Sequence, residues 1–180
     1  MVKFINTLTV SRILLGPIIF MILSLNSNYS LSLLLFIFAG FTDYADGYLA
    51  RKYNATSQFG EILDPIADKI LIVFLLFGLT IEFDSYILGF ASAIIISREI
   101  WVSALRDYNA RNNNLNATKV TYIAKVKTAV QLFTILIYLI ALSFNNMLLV
   151  ILGDIFITIA CLITAYTGYE YTLNSLKKTN

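Results

Sequence analysis

The chain has no histidine, a single cysteine and two prolines, and only 13% of its 180 residues are charged. Without imidazole, histidine metal ligation and histidine acid–base catalysis are both excluded, so proton transfer falls to carboxylates, lysine, tyrosine or the hydroxyl residues. Cys161 alone can close no intrachain disulfide and build no thiolate cluster; its apolar neighbours mark it as a buried structural residue. Internal repeats, low-complexity segments and shifts of composition are also missing, so residues 1–180 read as one domain. What fills the chain is apolar: 58% hydrophobic residues and a mean hydropathy of +0.77. So short a chain cannot hide that much apolar surface within itself. Lipid must cover the rest, and an all-α integral membrane protein is expected.

The apolar runs place six transmembrane helices near residues 5–25, 31–51, 59–80, 85–107, 119–143 and 147–173, each about the twenty residues a bilayer requires. The first run follows Lys3 and Arg12 and resembles a signal peptide in outline, but it lacks a small-residue cleavage site and reads as a retained helix. The tips at 26–30, 81–84 and 143–146 carry no Lys or Arg, whereas Arg51, Lys52, Arg106, Arg111, Lys119, Lys177 and Lys178 fall on the other side. By the positive-inside rule both termini are expected in the cytoplasm, at a plasma membrane of bacterial type. Helices 2, 3 and 4 all lose their lipid-like character at that cytoplasmic end. Polar residues at such depth are tolerated where they line a water-filled cavity, so a polar cavity facing the cytoplasm is expected within the bundle.

Four aspartates stand in this region: Asp43 and Asp46 on helix 2, Asp64 and Asp68 on helix 3. Spacings of three and four residues put each pair on one face of its helix, and a short loop lets the two faces turn toward each other. Four carboxylates so close repel strongly unless cations neutralise them. Oxygen donors without His or Cys suit Mg²⁺ or Mn²⁺, and two such ions would balance four negative charges. Gly47 and Ala50 share the aspartate face and Gly60 precedes Asp64 by one turn, which leaves space for a ligand; small residues so spaced also let membrane helices pack closely. Arg51 is either an anchor at a helix end or a charge partner for a phosphate.

The pattern Asp43-x2-Asp46-Gly47-x2-Ala50-Arg51-x8-Gly60-x3-Asp64-x3-Asp68 resembles, at every fixed position, the signature of the CDP-alcohol phosphatidyltransferases. The resemblance implies a six-helix membrane enzyme, usually a homodimer, in which an alcohol displaces CMP from a CDP-linked lipid. It implies that Asp43, Asp46 and Asp64 hold metal ions and the CDP pyrophosphate. Asp68 is implied as both metal ligand and general base, with Gly47, Ala50, Arg51 and Gly60 around the nucleotide. Two-metal substitution at phosphorus needs no covalent catalysis, and no activated nucleophile is visible in the sequence.

Arg98 lies about 20 Å along helix 4 by the helix rise, past the bilayer middle, where an unpaired arginine is costly. Either it pairs with Glu99 or an aspartate, or with Arg106, Lys125 and Lys127 it binds an anionic acceptor. Lys125 and Lys127 are two apart and point to different sides, and Lys125 is the one expected to face the cavity. Ser97-Arg98-Glu99-Ile100 with Ala104-Leu105-Arg106, Lys125-Val126-Lys127-Thr128, the segment from Leu63 to Lys69, and Asn6-x2-Thr9-x2-Arg12 are similar to one branch of the family, the phosphatidylglycerophosphate synthases. That branch implies CDP-diacylglycerol and sn-glycerol 3-phosphate as substrates. Ile5 and Ala124 depart from its pattern, where proline and glycine are common. Sister branches acting on serine, inositol phosphate or phosphatidylglycerol are the near alternative. A small cation-coupled transporter lacks its inverted repeat here, and the aspartate spacing disfavours a prenyltransferase.

Overall fold

Side-chain oxygens that take the first free amides mark where most of the helices begin. Asn28, Ser57, Ser85, Thr121 and Asn146 each accept from an amide two or three residues onward. In the computed structural model, which describes residues 2–53, 57–119 and 121–177, they open α2 (Tyr29–Lys52), α3 (Gln58–Phe83), α4 (Tyr86–Arg111), α5 (Tyr122–Phe144) and α6 (Met147–Leu176). Helix α1 (Val2–Met21) precedes them. Lys178, one of the expected inside charges, lies outside the described residues.

Helix ends move by a few residues from the sequence expectation, with α4 running on to Arg111, and two of the differences involve a change of helix type. The first apolar run leaves α-geometry after Met21 and ends in a π-helical turn, Ile22–Asn26. The fifth helix begins three residues later than expected, because Leu115–Thr118 form a 3-10 turn that satisfies its own backbone. Turns at 27–28, 84–85 and 145–146 are short; Ser27, Asp84 and Asn145 there take left-handed backbone conformations with φ of 46°, 44° and 48°.

Among the described residues, five stretches are long and apolar enough to cross a membrane: Val2–Asn26, Tyr29–Lys52, Tyr86–Arg111, Asn116–Phe144 and Met147–Leu176. Helix α3 has 26 residues, as many as α4. Its apolar run is interrupted by Asp64, Asp68, Lys69 and Glu82. The chain is an all-α integral membrane protein.

Successive helices run in opposite directions, so one end of the bundle collects the start of α1, α3 and α5 with the end of α2, α4 and α6. Helix α1 packs against α2 and α3, α6 packs against α4 and α5, and α3–α4 and α2–α5 contacts join the two triplets. The apolar core fills the other end, where Ile19, Leu23, Leu75, Leu79, Ile135 and Ile157 are fully buried. Since lipid tails are as apolar as these side chains, close packing rather than burial from water holds the helices together. Gly16 illustrates it: a Cβ there would stand 3.3 Å from Leu71 Cα, a tight contact that glycine avoids as α1 approaches α3. This leaves the first-named end to the polar residues.

Candidate active site

Asp43 and Asp46 project from the last turns of α2, and Asp64 and Asp68 from the first turns of α3, as their spacing predicts. The structure places something between them that composition does not announce. Arg12, on α1 and only 1% exposed, sends its guanidinium into the cluster. Its Nη1 donates to Asp43 Oδ1 and, at 2.9 Å, to Asp68 Oδ1; its Nη2 donates to Asp46 Oδ2 at 2.7 Å and lies 3.7 Å from Asp64 Oδ1. Thr9, one turn earlier, donates to Asp64 Oδ1 at 2.9 Å and reaches Asp46 Oδ2 at 3.4 Å. Asn6, one turn earlier again, accepts from the Ser57 hydroxyl that caps α3. One face of α1 thus supports the whole acid cluster.

Asp46 is buried, whereas the Asp43, Asp64 and Asp68 side chains are half-exposed, so the cluster opens to one side. Its donor set is oxygen alone, and four carboxylates are answered by one guanidinium. Among the described residues no three acidic side chains form a ready-made metal cage; Arg12 stands at the point where they converge. The donor chemistry and the unbalanced charge fit Mg²⁺ or Mn²⁺ at that focus.

The glycines divide. A Cβ at Gly60 would come within 3.2 Å of both Asn6 Oδ1 and Ser57 Oγ, so that position is a packing requirement of the α1–α3 junction. At Gly47 the nearest group is Arg51 Nη2 at 3.8 Å, so the surface beside Asp46 is open. Ala50 is half-buried and Arg51 exposed, and among the described residues Arg51 forms no ion pair with the aspartates.

A second set of charges lies across a cavity of about 370 Å³ between α3, α4 and α5. Asp68 lines it, as do Arg98, Arg106, Lys125 and Lys127, so the cavity connects the acid cluster to the expected acceptor residues. Arg98 lines this cavity and takes the ion-pair reading. Its Nη1 pairs with Glu99 at 3.1 Å, its Nη2 donates to Thr167 at 3.0 Å, and its guanidinium lies over the Tyr171 ring, 5.5 Å from the centroid. Arg106 stands over the same ring at 6.0 Å. Gly168 makes room for this arrangement, because a Cβ there would meet Arg98 Cγ at 2.9 Å.

The two lysines reverse their expected order. Lys127 is buried and ion-paired with Glu99, while Lys125 is exposed at the cavity rim. Lys127 turns to the Glu99 carboxylate of α4, a partner that the alternation of two residues along one helix cannot identify. A separate apolar cleft of about 350 Å³ starts at Arg12, Asp43 and Asp68 and continues between Phe36, Leu132 and Phe133.

Sequence reasoning assigned no site role to Arg12, Thr9 or Glu99. Their signals were present: three residues at three-residue spacing on one face of α1, and a carboxylate beside a deep arginine. They point to a site only once α1 is known to lie against α3.

A family model described as CDP-alcohol phosphatidyltransferase matches residues 4–166. A CDP-diacylglycerol–glycerol-3-phosphate 3-phosphatidyltransferase of Rickettsia bellii is 37% identical over 169 residues, covering 92% of this chain and 91% of its own. Proteins of the same name are 41% identical over 130 residues in Wigglesworthia glossinidia brevipalpis, with 71% of each chain covered, and 36% identical over 127 residues in Salmonella choleraesuis, with 69% of this chain and 70% of that one covered.

Proposed function

Since the chain belongs to the CDP-alcohol phosphatidyltransferase family, we propose that it moves the phosphatidyl group of CDP-diacylglycerol onto the free hydroxyl of sn-glycerol 3-phosphate, giving phosphatidylglycerol phosphate and CMP. The observation that carries this reading is the cavity that has Asp68 on one wall and four cationic side chains on the others. A small, phosphate-bearing alcohol fits such a cavity, with its phosphate held by Arg98, Arg106, Lys125 and Lys127 and its hydroxyl turned toward Asp68. Glu99 pairs with Arg98 and Lys127, but the cationic side chains of the cavity outnumber it, and serine, which carries no phosphate, would leave that excess unanswered.

In the transfer, the acceptor oxygen bonds to the phosphorus that carries diacylglycerol while the bond from that phosphorus to the CMP oxygen breaks. CMP leaves with the electron pair, and the hydroxyl proton passes to Asp68 as general base. Two divalent ions, Mg²⁺ or Mn²⁺, held by Asp43, Asp46, Asp64 and Asp68, would supply the neutralisation that a diphosphate in this setting requires. Gly47, Ala50 and Arg51 border the open surface where the CDP group would rest, and Gly60 fixes the helix end beneath it. The apolar cleft between Phe36, Leu132 and Phe133 suits an acyl chain of the donor lipid. With neither histidine nor an activated cysteine, attack is direct.

The same reading makes residues 1–180 a single catalytic domain working as a homodimer. By the positive-inside rule, the basic residues at the acid end support a reading in which both termini and the cavity mouth face the cytoplasm at a bacterial-type plasma membrane. The test is CMP release by purified protein in detergent with CDP-diacylglycerol, Mg²⁺ or Mn²⁺, and each candidate alcohol. Release with glycerol 3-phosphate alone is the expected result. No release with any alcohol overturns the enzyme reading, and release with serine but not glycerol 3-phosphate overturns the acceptor.

A further inference from the structure

We propose that Arg12 is a resident counter-cation of the acid cluster: it holds Asp43, Asp46, Asp64 and Asp68 at one focus while divalent ions are absent, and yields that focus when they bind. The inference rests on the reading of the four aspartates as a metal site and adds to it a residue that has no ligating atom of its own.

Arg12 stands about 15 Å along α1 by the helix rise, and its side chain turns inward instead of reaching for the membrane surface. Its two terminal nitrogens collect three hydrogen-bonded carboxylates and a fourth at 3.7 Å, two from α2 and two from α3. Among the described residues no other lysine or arginine pairs with any of these four. One positive charge therefore stands against four negative ones. The cluster tolerates its own repulsion only in part, and it retains a strong attraction for further cations.

The fit to guanidinium is incomplete in a second way. Arg12 Nε is buried with no hydrogen-bond partner among the described residues. The guanidinium matches the charge at the focus without completing its own hydrogen bonding. Arginine has no lone pair to offer a metal, so the focus is occupied either by Arg12 or by ions. Two divalent ions between these carboxylates would repel the guanidinium. Thr9, which bonds Asp64 and Asp46 from the same face of α1, keeps those two carboxylates oriented after Arg12 withdraws. Arg12 is in this sense a positioning residue, distinct from the ligands and the base.

The experiment uses purified full-length protein in detergent with no lipid substrate, following thermal unfolding and equilibrium Mn²⁺ binding. Without metal, Arg12→Met is expected to melt about 5 °C or more below the wild type, since four carboxylates lose the one cationic partner they have among the described residues. Mn²⁺ is expected to raise the melting temperature of Arg12→Met by more than that of the wild type and to bind it several-fold tighter. Should Arg12→Met fail to fold, Arg12→Met/Asp43→Asn compared with Asp43→Asn gives the same comparison at lower repulsion, with a smaller metal-free loss expected. Equal Mn²⁺-induced rises together with weaker Mn²⁺ binding in Arg12→Met would overturn the counter-cation role while leaving the metal site in place. No response to Mn²⁺ in either protein would remove the metal site and this inference with it. Neither outcome depends on CMP release, which tests the transferase reading separately.

Discussion

Gly168→Ala on α6 isolates the acceptor half of the site without altering any charged residue. A Cβ at that position would stand 2.9 Å from Arg98 Cγ, where ordinary contact begins at 3.4 Å. The clash falls near the root of the arginine and not at its flexible end, so the side chain must shift along its whole length. Arg98 then loses either its hydrogen bond to Thr167, now 3.0 Å, or its place over the Tyr171 ring. A hydrogen bond by a charged group contributes about 1.5–3 kcal/mol and a desolvated cation–π contact about 2 kcal/mol. Loss of one, partly recovered by rearrangement, leaves about 1.5 kcal/mol, or roughly a tenfold effect. The KM for glycerol 3-phosphate is therefore expected to rise about tenfold, with the KM for CDP-diacylglycerol within about twofold of wild type. The measurement is CMP release with each substrate varied in turn. In an Arg98→Ala background the same substitution should add nothing, because the group it displaces is gone. An unchanged KM for glycerol 3-phosphate, or an equal rise for both substrates, would refute the assignment of Arg98 to the acceptor.

Asp68→Asn should lower kcat by about 100-fold or more while CDP-lipid binding, read by equilibrium dialysis of labelled nucleotide, is retained; full activity would remove Asp68 as the base. Arg106→Ala should raise the KM for glycerol 3-phosphate about tenfold and that for the lipid far less, and an equal effect on both would mark a structural role. Gly153→Ala places a Cβ 2.6 Å from Tyr138 Cε1 in the apolar half, so it should destabilise the fold by about 1–3 kcal/mol with both KM values unchanged, as seen by thermal unfolding beside the kinetic assay.

Much of the fold was legible because a membrane permits few solutions. Apolar runs about twenty residues long, separated by Asn, Ser and Asp turns, leave helices as the only way to satisfy the backbone, and capping residues mark their starts. The acid cluster was legible for a related reason: carboxylates next to such runs need a purpose, and their three- and four-residue spacing states which face they share. The π-helical turn after Met21 and the 3-10 turn before α5 were not legible, since both depend on how neighbouring helices pull on a short connection. Gly60 and Gly47 look alike in the sequence, yet one is crowded by Asn6 and Ser57 and the other is open.

The amino-acid sequence by itself determined that this is a helical membrane protein and that the four aspartates share one end of the bundle. Periodicity along a helix is enough for that, because each statement concerns one element or a pair joined by a short loop. Only the tertiary structure decided that Arg12 of α1 stands among the aspartates of α2 and α3. It alone decided that Lys127 and not Lys125 turns inward to Glu99, and that Gly168 of α6 makes the space in which Arg98 lies. Those facts depend on the rotation of each helix about its axis and on which helices become neighbours, and both are set by packing across the whole bundle.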